Sequence, residues 1–431
     1  MEHGPSMTLE RLAPAGPTGT LRWVDPPADN RARLFVPARP PSAGPVVLTP
    51  ERMQAACETI ASWPCYAATP LVRLDDLASR LNLGTVWLKD ETKRFGVDSF
   101  KALGAGYALG RVLSDMLSRA LDRAVSVSDL LDGLHGGRTA GLTAVAASDG
   151  NHGRALAWAS RLFGCRCVIF VPPQVSAGRR AAITDLGAEV VEVAGTYDDA
   201  VEVAARRAVR NGWTLISDTA HGGDGAVPLL VMEGYTTLVR EIAAARPGQP
   251  PFTHVFLQAG VGGLAGSVLD AAACDPALRG AAGIVVESNR AGCLFESARA
   301  AALTGVRGSL ATVMAGLACG MPSTVAFEIA RRRATAFLQI PDTDAHLAQQ
   351  LLAEGTGTNL PQIGETGLAG LAGLLAACHR PDWRARLGLN AESNVLLFAT
   401  EGVLPIAPHR RALEGGFLNV PSSACAAFRR A

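Results

Sequence analysis

The sequence predicts an α/β protein of two domains, each holding an open sheet of parallel type covered by helices. Three observations carry this. Short apolar, β-branched runs alternate along the chain with Ala/Arg/Leu stretches of helical spacing. The runs are almost continuously apolar, the pattern of strands buried on both faces. The length, 431 residues, leaves chain enough for two or three cores.

Taken in order, residues 1–50 hold ten of the 26 prolines and little periodicity, so they read as an irregular arm wrapping a body. Val86-Trp87-Leu88 predicts a strand and Phe100 to Leu113 a helix, with residues 114–140 a helical insertion. The alternation continues through a strand at Val168 to Val171 and a helix at Ala177 to Leu186. Next come a strand at Val190 to Val193, a helix at Asp198 to Asn211 and a strand at Thr214-Leu215-Ile216. Val255-Phe256-Leu257, Ile284-Val285-Val286 and Val395 to Phe398 supply the later strands.

Composition removes several classes of function. Forty Lys+Arg against 39 Asp+Glu give a formal charge of +1, without the basic excess of a nucleic-acid or membrane-surface protein. Hydrophobic residues at 48% and charged ones at 18% exclude wholesale disorder. Apolar runs such as Val168-Ile169-Phe170-Val171 are far too short to cross a bilayer. Residues 1–20 show no secretory signal. Nine cysteines without C-x-x-C spacing, Cys165 and Cys167 being the closest pair, point to reduced cytosolic thiols rather than disulfides or zinc. H-E-x-x-H and G-x-S-x-G are both missing, which counts against a zinc hydrolase and an α/β-hydrolase. The expectation is a cytoplasmic protein with neither nucleic acid nor membrane as partner.

The lysines are sharper. Only three of the 40 basic residues are lysine, Lys89, Lys93 and Lys101, all in one segment. Arginine stays protonated, whereas a desolvated lysine can shed its proton and attack a carbonyl. Lys101, in Ser99-Phe100-Lys101, opens a helix, where the positive end of the dipole disfavours an ammonium.

Other loops carry chemistry as well. Ser148-Asp149-Gly150-Asn151-His152-Gly153 follows the apolar run Leu142 to Ala147. Small residues there let the backbone approach a ligand, with hydrogen-bonding side chains and Asp149 as a base; a plain strand-to-helix turn reads equally well. Gln258-Ala259-Gly260-Val261-Gly262-Gly263-Leu264-Ala265-Gly266 follows a strand and opens a helix, a place where N–H groups bind phosphate. The loop also fits G-x-G-x-x-A, and Glu287 stands 21 residues beyond Gly266. That is the spacing of a dinucleotide fingerprint, so a single phosphate and an NAD-dependent oxidoreductase are both open. Ser217-Asp218-Thr219 and Thr400-Glu401-Gly402 follow strands, where a carboxylate or hydroxyl can face a crevice or simply form a turn or cap. Gly364-Glu365-Thr366-Gly367 is a less specific loop.

In this order the motifs resemble the fold-type II pyridoxal-phosphate enzymes, the group of the tryptophan synthase β-chain and threonine dehydratase. Arg94-Phe95-Gly96, Ser99-Phe100-Lys101-x-Leu103-Gly104, Asp149-Gly150-Asn151-His152-Gly153-Arg154 and Asp218-Thr219-Ala220 are similar to motifs of the diaminopropionate ammonia-lyases. So are Gln258-Ala259-Gly260-Val261-Gly262, Thr312-Val313-Met314-Ala315-Gly316-Leu317-Ala318-Cys319-Gly320 and Thr400-Glu401-Gly402. The resemblance covers roughly residues 30 to 415.

The resemblance implies pyridoxal 5'-phosphate as cofactor, with Lys101 as the Schiff-base lysine and Asn151 against the phenolic oxygen. It places the backbone from Gly260 through Val261, Gly262 and Gly263 to Leu264 around the phosphate, and Thr400 at the pyridine nitrogen. Asp149 and Asp218 take the family's two acidic catalytic positions, and Ser148, Asn151 and His152 receive the substrate carboxylate. The implied reaction is elimination of ammonia from 2,3-diaminopropionate, giving pyruvate and ammonia through an aminoacrylate, with no metal. The implied architecture is an N-terminal arm (1–45), a large cofactor-binding domain (46–104 plus 231–431), a small α/β domain (105–230) and a homodimer.

The chain departs from the family at His221-Gly222-Gly223-Asp224, at Met321, at Asp98 and at Val403-Leu404-Pro405. On sequence, therefore, elimination or β-replacement on another β-substituted alanine, or on serine or threonine, stays open.

Overall fold

The computed structural model describes residues 21–42, 44–64, 66–148, 150–220, 225–353 and 362–403. Its strands, in chain order, are β1 (Arg22–Val24), β2 (Arg33–Phe35), β3 (Leu71–Arg73), β4 (Thr85–Asp90), β5 (Thr143–Ala147), β6 (Arg166–Val171) and β7 (Glu189–Glu192). They continue with β8 (Thr214–Leu215), β9 (His254–Gln258), β10 (Ala282–Ser288), β11 (Thr304–Val306), β12 (Ala336–Ile340) and β13 (Asn394–Ala399). Seven form one sheet in the order β2-β12-β10-β9-β13-β4-β3. Its five inner strands run parallel, and the two edge strands are antiparallel to their neighbours. Four more, β7-β6-β5-β8, form a second, wholly parallel sheet. Every residue of β5, β9 and β12 is buried, which is why these segments read as continuous apolar runs. The expected α/β class and parallel sheets are what the chain forms.

Two expectations need correction. The arm is less irregular than its prolines suggest: β1 pairs with β11, and β2 forms an edge of the large sheet against β12. Strands of three residues are too short to show a period, and their partners lie hundreds of residues away. Residues 1–20 fall outside the described residues. The helix expected to end at Leu113 runs from Lys101 to Leu121. Its exposed face turns polar beyond Leu113, but Leu113 and Leu117 keep the inner face buried until Asp122 takes a left-handed conformation and stops it. The rest of the insertion is helical, at Val127–Leu131 and Gly136–Thr139.

Helix Lys101–Leu121 crosses helix Ala226–Tyr235 with almost no side-chain spacer. A Cβ on Gly234 would lie 2.4 Å from the carbonyl oxygen of Leu103, and one on Gly104 2.7 Å from that of Val231. Backbone against backbone leaves neither helix room to slide, so the start of the first helix, where Lys101 sits, is fixed. Among the described residues no helix is long and apolar enough to cross a membrane, and no group of His, Cys, Asp and Glu is arranged to hold a metal.

Gly234→Ala should therefore lower stability by about 2 kcal/mol through overpacking against rigid backbone. Urea unfolding checks this, and an unchanged midpoint would mean the two helices can part without cost.

Candidate active site

The motifs meet because each follows the carboxyl end of a parallel strand: β4 leads to Lys101, β5 to Asn151, β8 to Asp218, β9 to the glycine loop and β13 to Thr400. One cavity is lined by Lys101, Asn151, His152, Asp218, Gly260, Val261, Gly262, Gly263, Leu264 and Thr400. Phe100, Tyr197, Gln258, Ala259, Gly316, Leu317, Cys319 and Thr366 complete it. Asp149 lies outside the described residues.

The three lysines have three different fates. Lys89 is 1% exposed and ion-paired with Glu241 at 2.6 Å. Lys93 is 79% exposed and lies 3.8 Å from Asp98. Lys101 alone reaches the cavity, its Nζ 2.5 Å from Asp218 Oδ2 and about 5.5 and 5.9 Å from the ring centres of Phe100 and Tyr235. The helix start on which the sequence argument rested is real, but the amine's nearest electrostatic partner is a carboxylate, which favours the charged form the dipole opposes.

The loop ahead of Lys101 is held in an unusual shape. Phe95 and Asp98 both have positive φ, 52° and 56°, a conformation that must be held by its surroundings. Phe95 stacks on Trp158 at 4.8 Å. Beside it Arg94, 1% exposed, pairs with Glu91 and Glu241, each at 2.7 Å. Burial works against the guanidinium charge, and the two carboxylates more than offset it.

Asp218 is buried, and burial alone would push its carboxyl up; the Lys101 ammonium, His152 and the Tyr197 hydroxyl hold it well below the ordinary carboxylate range. The Tyr197 O–H donates to Oδ1 at 3.4 Å, and His152 Nδ1 lies 3.9 Å from Oδ2. His152 Nε2 is 2.8 Å from the carbonyl of Ile216, so that nitrogen carries a proton. Among the described residues Nδ1 has no hydrogen-bond partner. A neutral ring therefore keeps its lone pair at Nδ1, beside the cavity.

Ser148 does not line the cavity. Its hydroxyl accepts the N–H groups of Gly150 at 2.9 Å and Gly153 at 2.7 Å. That shapes the turn into helix Asn151–Phe163, with Gly150 at φ +140°. Asn151 opens that helix, and its Nδ2 donates to Glu401.

The glycine loop has the space a phosphate needs. Gly262 has φ +102°, and a Cβ there would lie 2.9 Å from Leu294, while one on Gly260 would lie 2.6 Å from the carbonyl of Gly316. Helix Gly263–Ala272 begins beside it, with first-turn N–H groups that have no intrahelical acceptor. The dinucleotide reading fails at Glu287. That residue is fully buried and accepts the N–H groups of Leu294 at 2.8 Å and Phe295 at 2.6 Å, capping helix Cys293–Ala300. Burial pushes its carboxyl up to about 8, and no ribose could reach it. Thr400 Oγ1 accepts an N–H from Gln258 at 3.1 Å, and Gln258 is tied in turn to the carbonyl of Phe398 at 2.8 Å.

Several cavity residues escaped the sequence argument. Tyr197 begins a helix expected to start one residue later, and Thr366 sits in a motif of low specificity. Gly316 and Leu317 were noticed only as part of a resemblance.

Residues 63–400 match the family model for the pyridoxal-phosphate dependent enzymes. The chain is 37% identical over 359 residues to a diaminopropionate ammonia-lyase of Escherichia coli strain K12, covering 81% of this chain and 88% of that protein. It is 39% identical over 352 residues to the diaminopropionate ammonia-lyase of Salmonella typhimurium strain LT2, covering 79% and 86%. The fold superposes with TM-score 0.79 and 32% identity on the E. coli ammonia-lyase in complex with an aminoacrylate–PLP azomethine reaction intermediate, over 90% of this chain and 98% of that one. The chain belongs to the pyridoxal-phosphate-dependent enzymes and has their fold-type II architecture.

Replacing Asp218 by Asn takes the buried carboxylate away from the Lys101 ammonium and should cost about 3 kcal/mol at pH 7. Because the folded carboxyl lies below its ordinary 3.8, the wild-type advantage is full above that value and shrinks as pH falls through and below it. Urea unfolding of both proteins at pH 7 and pH 3 reads this; equal differences at the two pH values would remove the ion pair as the cause.

Proposed function

We propose that this pyridoxal-phosphate-dependent enzyme eliminates ammonia from 2,3-diaminopropionate, yielding pyruvate and ammonia. The observation that carries the reading is the Lys101–Asp218 pair, 2.5 Å apart, in one cavity with the glycine loop. One amine, one ionised carboxylate and one phosphate cradle stand together there.

The cofactor suits the residues present. Side chains at Gly260 or Gly262 would clash with the walls of the loop, and the hydroxyl proton of Thr400 has no acceptor among the described residues. In this reading Lys101 holds the aldehyde carbon, the backbone of Gly260–Leu264 the phosphate, Asn151 the phenolic oxygen and Thr400 the ring nitrogen. Bound there, pyridoxal phosphate supplies the electron sink that makes the Cα proton of an amino acid removable.

The chain's own groups do the rest. Lys101 Nζ takes the Cα proton. Asp218, ionised and shielded from water, holds the substrate's β-ammonium, where its attraction is little screened. With that nitrogen kept protonated, the Cβ–N bond breaks with its electron pair going to nitrogen, and neutral ammonia leaves. An unprotonated amine would have to depart as amide ion, which is far too basic. Asp149, two residues before Asn151 in the sequence, is assigned the second acidic role, for the opposite hand of substrate. The substrate carboxylate is received by Asn151, His152 and the start of helix Asn151–Phe163, while Ser148 acts from behind by holding the turn. The released enamine hydrolyses in water to pyruvate and a second ammonia.

The same reading includes a small unit spanning 105–230 that closes on substrate, supported by the separate four-stranded sheet, and a homodimer in the cytoplasm. Sedimentation of the purified protein tests the dimer.

Purified enzyme should be yellow, and borohydride should fix the cofactor to Lys101; Lys101→Arg should lose both the reducible linkage and turnover. Given 2,3-diaminopropionate of either hand, the enzyme should release pyruvate and ammonia well above serine, threonine and cysteine controls. Release no greater than those controls would give the cavity to another β-substituted amino acid. Asp218→Asn should lower the rate at least about 100-fold, within the usual range for a positioned proton-transfer group, and an unaffected rate would return Asp218 to a structural part.

A further inference from the structure

Glu401 follows Thr400 at the end of β13 and is 4% exposed. Among the described residues its carboxylate takes part in no ion pair. A buried carboxylate in that position needs its oxygens hydrogen-bonded. They are, by two walls of the active site. Oε2 accepts from Nδ2 of Asn151, 250 residues away in sequence, and Oε1 accepts the N–H of Thr366 at 3.2 Å. Thr366 in turn accepts the N–H of Gly316 at 3.1 Å. Asn151, Thr366 and Gly316 all line the cavity, whereas Glu401 does not.

The loop Gly364-Glu365-Thr366-Gly367 is the seat of this carboxylate. A Cβ on Gly364 would lie 2.8 Å from Glu401 Oε1, and one on Gly367 3.0 Å from the Glu401 carbonyl oxygen. A side-chain amide has two unlike ends, and only its NH2 can face a carboxylate. Glu401 therefore decides which way the Asn151 amide is turned.

We infer that Glu401 is a positioning residue: it sets the rotation of the Asn151 amide and clamps the first turn of helix Asn151–Phe163 to the end of β13. The cofactor then meets one fixed amide orientation. This rests on the assignment of Asn151 to the cofactor's phenolic oxygen.

The test is a double-mutant cycle read by cofactor binding. Apoprotein of the wild type, Glu401→Gln, Asn151→Ala and the double variant is titrated with pyridoxal phosphate, and the visible absorption of each holoenzyme is recorded. Loss of one charge-assisted hydrogen bond should weaken binding roughly tenfold in Glu401→Gln and shift its absorption maximum. The double variant should bind no more weakly than Asn151→Ala alone. Wild-type affinity and spectrum in Glu401→Gln, or independent losses that multiply in the double variant, would overturn the inference while leaving the function proposed above intact. Wild-type binding by Asn151→Ala would overturn both the inference and the assignment beneath it. Should Glu401→Gln not fold, Gly364→Ala displaces the carboxylate while keeping both partners, and the same shift is expected; an unchanged spectrum there counts against the inference.

Discussion

The buried ion cluster around Arg94 is the constraint on which the active site depends. Arg94 joins Glu91, at the end of β4, to Glu241 in the helix Thr237–Ala245, and Lys89 binds the same Glu241. Taking these charges out of water is expensive, and only the full set of partners offsets it. No single member can move without leaving another unpaired. The cluster thus fixes the end of β4 and the strained turn at Phe95 and Asp98, and so the point from which Lys101 starts its helix. The close crossing at Gly104 and Gly234 holds the same helix from its other side.

Between these anchors the site itself is polar and paired. Lys101 and Asp218 neutralise one another. In the reading proposed above, a substrate that brings its own ammonium offers Asp218 a positive charge in place of the one Lys101 supplies. That exchange suits a diamine better than a hydroxy amino acid, whose β-oxygen carries no positive charge to offer the carboxylate.

Much of this was legible in the sequence, and for one physical reason. Parallel strands buried on both faces write continuous apolar runs, and loops with functional residue types follow their carboxyl ends, so the runs that form β4, β5, β9 and β13 pointed to Lys101, Asn151, the glycine loop and Thr400. The scarcity of lysine did the rest. What stayed hidden depended on distant partners. Nothing local tells that Asn151 and Glu401 meet, that Thr366 faces the cavity, or that Lys89 is spent on Glu241. Ser148 and Glu287 misled in the opposite way. Each has the residue type and spacing of a ligand-binding group, but capping backbone N–H groups at a turn or helix start asks for the same oxygen in the same place. Spacing cannot separate the two uses; only knowing which N–H groups lack an acceptor can.

The unequal exposure of the three lysines reaches beyond chemistry at the cavity. An amine-directed crosslinker or activated surface meets one open lysine side chain, Lys93, because Lys89 is locked in its ion cluster and Lys101 lies inside the cleft. Covalent attachment through lysine would tether every molecule by the same short turn, in one orientation, where a chain with ordinary lysine content would be caught at random.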